Sequence, residues 1–83
     1  MSVLRMSKIV RGGLYKHYAN RKLYKVLGVA KHHKNLGSWV VYKGLYNHES
    51  LGNNPIFTRE LDDFCATVNG KERFKRVYKS LAK

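Results

Sequence analysis

Acidic side chains are what this sequence has least of relative to need. Its 83 residues hold five Asp or Glu against 17 Lys or Arg, for a formal net charge of +12 and a pI of about 10.2. Cysteine is nearly absent too. Cys65 stands alone, so no intramolecular disulfide can hold the fold, which fits a reducing cytosol. Long apolar runs are missing: none approaches the ~20 residues that cross a bilayer, so no membrane role is expected. The opening "MSVLRMSKIVRGG" lacks the continuous apolar segment and cleavage site of a signal peptide. Its interleaved Arg5, Lys8 and Arg11 fit a flexible basic arm, with Met6 a second possible start, better than a mitochondrial presequence. These absences predict one cytoplasmic domain over residues 12–78, with an arm over 1–11 and a tail over 79–83.

The charge is unevenly spread. Residues 1–48 contain ten Lys or Arg and no acid, whereas 49–70 contain Arg59 against Glu49, Glu60, Asp62 and Asp63. Residues 71–83 turn basic again, six cations to Glu72. Self-repulsion of this size opposes compaction, and a domain so basic carries the electrostatic footprint of a polyanion partner.

Apolar residues recur with period two over most of the chain. In "LYKVLGVAK", Tyr24, Val26, Gly28 and Ala30 fall on one face, with Lys25 and Lys31 on the other. In "SWVVYKGLY", Val40, Tyr42, Gly44 and Tyr46 alternate with Trp39, Val41, Lys43 and Leu45. Both runs are rich in β-branched and aromatic residues. "LYKHY" and "IFTR" read as further strands, and Asn69-Gly70 is the preferred pair of a type I′ hairpin. Turns are expected around Ala19-Asn20-Arg21 and Asn35–Gly37, and a loop over "NHESLGNNP". "ELDDF", residues 60–64, fits one helical turn. The expected fold is mostly β: five to six short antiparallel strands curled into a small barrel, since curling removes exposed edges.

The run "GLYKHY…LYKVLGVAKH…WVVYKGLY…IFTRELDDF…VNGKERFKRV" resembles the small bacterial and phage family DUF1653. Its pattern is met by Gly13, Tyr15, His17 and Tyr18; by Tyr24, Val26, Leu27, Gly28, Ala30 and His32; by Val41, Tyr42, Leu45 and Tyr46; and by Phe57, Arg59 and Phe64. The likeness covers about residues 12–77 and implies an SH3-like barrel in a bacterial or phage-infected cell. It implies no activity, because the family's role is not established. Two places depart from the pattern. His33-Lys34-Asn35 stands where the family has Ser-Glu-Thr, exchanging an acid for a cation. Phe57-Thr58-Arg59-Glu60 stands where it has Trp-Val-Arg-Pro.

Enzymatic and metal signatures are thin. His17, His32, His33, His48 and Cys65 show no metal-ligand spacing. No nucleophile elbow or phosphate-binding Gly-rich loop is present, and Cys65 in "FCATV" reads as a small buried hydrophobe. Neither a cofactor nor catalysis is expected. Two constellations remain. Tyr15, His17, His32, Tyr42 and Arg59 form a candidate anion or ligand pocket, since guanidinium, imidazole and phenol can all donate. The same tyrosines fit better as barrel core, since aromatics dominate small cores. Arg21, Lys22, Lys25, Lys31, Lys34, Lys43, Lys75 and Arg76 form a candidate phosphate-contacting surface. Tyr18, Trp39 and Tyr46 are aromatic rings that could stack on bases beside it. The leading expectation is a binding module for DNA or RNA with little sequence specificity. Docking to an acidic host protein, as a phage-encoded modulator, and a receptor or enzyme for a small phosphorylated ligand stand as alternatives.

Overall fold

Strand β3, Ser38–Gly44, buries every second residue: Ser38, Val40, Tyr42 and Gly44 face inward, while Trp39, Val41 and Lys43 face out. The structure, a computed structural model, describes residues 9–78. The arm residues 1–8 and tail residues 79–83 lie outside the described residues. Around β3 are β1 (Leu14–His17), β2 (Leu23–Lys31), β4 (Asn47–His48), β5 (Gly52–Asn53) and β6 (Ile56–Glu60). The short helix α1 (Leu61–Phe64) follows, then β7 (Thr67–Val68), β8 (Lys71–Glu72) and β9 (Phe74–Val77). Five strands form one antiparallel sheet in the order β6-β3-β2-β1-β9. The mostly β architecture and the helical turn after β6 match the sequence expectation.

The inner face is aromatic. Tyr15, Tyr24, Val26, Val40, Tyr42, Leu61, Phe64 and Phe74 are buried together. Phe64 of α1 lies flat on Phe74 of β9, with ring centres 4.1 Å apart and planes 3° from parallel. Tyr24 meets Tyr42, Tyr46, Phe57 and Phe74 edge-on. Such pairs each add roughly 0.5–1.5 kcal/mol beyond area burial, which matters in a domain too small for a large aliphatic core. The sheet curls enough for its two edges to meet through side chains: Arg59 of β6 lies over Phe74 of β9 at 5.5 Å.

Several local expectations are corrected. The expected inward series Tyr24, Val26, Gly28 and Ala30 ends at Val26. A bulge between Val26 and Gly28 shifts the register, so that Val29 pairs with buried Val40 while Gly28 and Ala30 pair with outward Val41 and Trp39. One extra residue reverses every side chain beyond it. The same shift takes Lys31 off the face of Lys25 and pairs it with inward Ser38, whose hydroxyl accepts from Nζ at 2.9 Å. The expected loop over 47–55 contains the β4–β5 ladder. The Asn69-Gly70 hairpin forms as expected, with both residues at positive φ, but its second arm breaks at Arg73 into β8 and β9. In the β2–β3 turn Leu36, not Gly37, takes the left-handed conformation, while Asn35 Oδ1 accepts from Gly37 N–H. Ile9 and Val10, expected in the arm, contact the sheet. Ile9 packs on the core, and Val10 N–H donates to the Tyr15 hydroxyl at 3.0 Å.

Candidate nucleic-acid interface

Antiparallel register decides which cations meet. Lys16 of β1 pairs directly with Lys75 of β9, and Lys25 of β2 directly with Lys43 of β3. All four alternate with inward residues, so they lie on the outer face. Two cross-strand rows result. One runs Lys75, Lys16, Leu23; the next runs Val77, Leu14, Lys25, Lys43, Ile56. Directly opposed Cβ atoms stand about 4.5–5.5 Å apart, and like charges there are destabilising. Two acids lie near these rows: Glu60 sits two rows beyond, opposite Trp39, and Glu72 lies beside Lys16 and Lys75.

The β1–β2 turn adds to the array. Asn20 Oδ1 accepts from Lys22 N–H at 2.8 Å, an Asx turn that holds the segment, and Arg21 takes a positive φ. Arg21 thereby joins Lys16 and Lys75 in lining two adjoining depressions, of about 650 and 470 Å³. The smaller one also contains Lys71, Tyr18 and His17, with Glu72 as its one carboxylate. Tyr18, 37% exposed, stacks on His17 with centroids 5.1 Å apart. Cations beside an exposed ring pair can hold a phosphate backbone and stack an unpaired base.

The predicted surface residues are therefore divided. Arg21, Lys25, Lys43 and Lys75 come together. Lys22 turns the other way, with Nζ 4.8 Å from the centre of the Tyr46 ring. Lys31 is held by Ser38, and Lys34 sits in the β2–β3 turn, its N–H donating to His32 Nδ1. Arg76 falls between the outward residues of β9, yet it lines the larger depression with Lys16, Arg21 and Lys75. Its guanidinium lies over Tyr15 and Tyr78, and its Nε is buried without a hydrogen-bond partner among the described residues. Lys16, at the centre of the array, is not among the residues the sequence reading predicts. Its signal was its place between inward Tyr15 and His17.

The predicted anion set is divided as well. His17, Tyr42 and Arg59 line one inner cavity together with Tyr24, Tyr46 and His48. Tyr15 is core, 3% exposed, against Phe64. His32 lies beside Trp39 and His33 at the far end of β2. An arginine within an apolar strand needs a partner, and Arg59 has internal ones. Nη1 donates to Asp63 Oδ2 at 2.9 Å and Nε to the Tyr42 hydroxyl at 3.3 Å. Burial opposes its charge, but Tyr42 and Asp63 more than offset this and raise its pKa. Burial, then Arg59 and Arg73, lower that of His17. Burial and the bond to Tyr24 push the Tyr46 phenol up to about 12.

No group of three potential metal ligands occurs among the described residues, and no helix there is long and apolar enough to cross a membrane. Comparison with curated proteins and with solved structures gave no match. The model of one family, described as "Protein of unknown function (DUF1653)", matches residues 13–76. That span takes in every strand of the sheet but the last residue of β9, and the chain belongs to DUF1653.

Proposed function

We propose that this protein is a non-catalytic module that binds nucleic acid through phosphate contacts, using the outer face of an SH3-like barrel. The barrel reading rests on the contact of the two edge strands through Arg59 and Phe74. The observation that carries the functional reading is the pair of lysine–lysine oppositions, Lys16 with Lys75 and Lys25 with Lys43. Edge protection accounts for single lysines on outer strands. It does not account for cations placed directly opposite one another at a cost in stability, with Arg21 and Lys71 beside them. A polyanion turns that repulsion into attraction. Nothing in the array reads base edges, so little sequence preference is expected.

Salt titration of binding to duplex DNA and to single-stranded RNA tests it. With about five phosphate contacts, log K for duplex DNA falls against log salt with a slope near −4 to −5. Failure to bind either at ~50 mM salt overturns the reading. A second reading, docking to an acidic protein, is favoured by one feature: Leu23 and Ile56, 37% and 66% exposed, sit in the lysine rows. A partner retained from nuclease-treated lysate, with no binding to purified nucleic acid, would select it.

A further inference from the structure

On the inner side of the sheet, a cavity of about 200 Å³ is lined by His17, Tyr42, Tyr46, His48 and Arg59 among others. It is smaller than the ~300 Å³ at which sites for drug-sized ligands begin, so its occupant is a single small group. Its walls are biased toward donors. His17 Nδ1 accepts from Ala19 N–H at 3.1 Å, and His48 Nδ1 accepts from Ser50 and Leu51 N–H at 3.0 and 3.1 Å. A neutral imidazole whose Nδ1 accepts must carry its proton on Nε2. Both rings therefore have one N–H each left to donate. Arg59 bonds within the protein through Nη1 and Nε, and Nη2 is the nitrogen outside those two bonds.

The potential in the cavity is positive. No Asp or Glu lines it. Asp63 is shared between Arg59 and Arg73, at 2.9 and 3.4 Å, so one carboxylate faces two guanidiniums. Lys22 stands over Tyr46 at the same site. The two arginines also depress the pKa of His17, after burial. Donors from three side chains, with uncompensated positive charge, suit an anion with three terminal oxygens better than a carboxylate with two.

We propose that this cavity receives one phosphate monoester group, carried by a free mononucleotide or by the phosphorylated end of a strand, with His17, His48 and Arg59 as donors. His17 also borders the depression beside the lysine face, so His48, which lines only the inner cavity of the two, is the ring whose shift separates this site from that one. Adenosine 5′-monophosphate, adenosine, and a short oligonucleotide with or without a 5′-phosphate serve as probes at constant ionic strength, read by NMR at the His17 and His48 ring protons. The monophosphate or the phosphorylated strand is expected to shift both rings and saturate, while adenosine and the 5′-hydroxyl strand do not. The form that saturates identifies the source. His17→Asn and His48→Asn keep an oxygen where Nδ1 caps the turn but delete the Nε2–H. Each should weaken binding about tenfold, the loss of one charge-assisted hydrogen bond, as measured by calorimetry. Lys25→Glu with Lys43→Glu should leave it within about twofold. No ring shift with either phosphorylated probe overturns the proposal. So does equal binding of adenosine, or wild-type affinity in both Asn variants.

Discussion

Asp63 and His17 carry the tension of this site at the level of single residues. The Asp63 carboxylate accepts from Arg59 and stands 3.4 Å from Arg73, whose Nε also donates to the Asp63 backbone carbonyl. Removing its charge leaves two guanidiniums close together beside Phe74. Because the carboxylate is about half exposed, solvent softens the loss, and Asp63→Asn is expected to cost about 1–2 kcal/mol. In a domain of this size that lowers Tm by roughly 5–15 °C; an unchanged Tm would show the bridge to be dispensable. His17 gives a pH dependence. Its pKa in the folded protein lies below the ordinary 6.5 because of burial, then Arg59, then Arg73. The unfolded chain therefore takes up the proton first as pH falls. The contribution of the neutral ring is complete above about pH 6.5 and is lost between there and the lower folded value. Denaturant titrations at pH 7.5 and 5 should show stability falling with acid, and His17→Asn should flatten that fall. An equal slope in the variant would assign the dependence to other groups.

Elements depend on local chemistry that the sequence shows to different degrees. Asn69 and Gly70 both adopt positive φ, 51° and 81°, between β7 and β8, as the I′ turn requires. Gly70→Ala forces a Cβ into that conformation and should cost about 1–2 kcal/mol, measured by urea denaturation. No loss of stability would mean that the hairpin frays without consequence. Gly44 answers a packing need instead: the Tyr46 ring lies where its Cβ would be. The I′ turn, α1 and the alternation of β3 were legible because each is set by residues within one short window. The bulge in β2 was not. After Lys25, "VLGVA" holds no polar residue to mark either face, and the register is settled only by pairing with β3, which puts Val29 against Val40. The β4–β5 ladder was hidden by its Asn- and Gly-rich composition. The site was legible to a similar extent. Alternation alone separates Lys16 from Tyr15, but which strands are neighbours decides that Lys16 meets Lys75. His32 looked like a partner of His17 on type alone, yet the bulged strand carries it to the other end, beside Trp39.

At the scale of the whole molecule, charge works against the fold. A net +12 on 83 residues means that salt should stabilise the free protein by screening, the opposite of its expected effect on polyanion binding. Between ~20 and ~300 mM the Debye length falls from roughly 20 Å to below 6 Å, so repulsion across the outer face is largely removed and Tm should rise. Charge reversal separates the two roles of the lysines. Lys25→Glu places an acid directly opposite Lys43, and Lys16→Glu places one opposite Lys75. Each converts a repulsive cross-strand pair into an attractive one, worth about 0.2–1 kcal/mol. The double variant should therefore melt higher than the wild type at low salt while losing nucleic-acid affinity and having a shallower salt slope by about 2. Such an outcome means that stability is given up for the function of this face. If the variant is more stable and binds equally well, the opposed lysines serve no partner, and the nucleic-acid reading of the outer face fails with them.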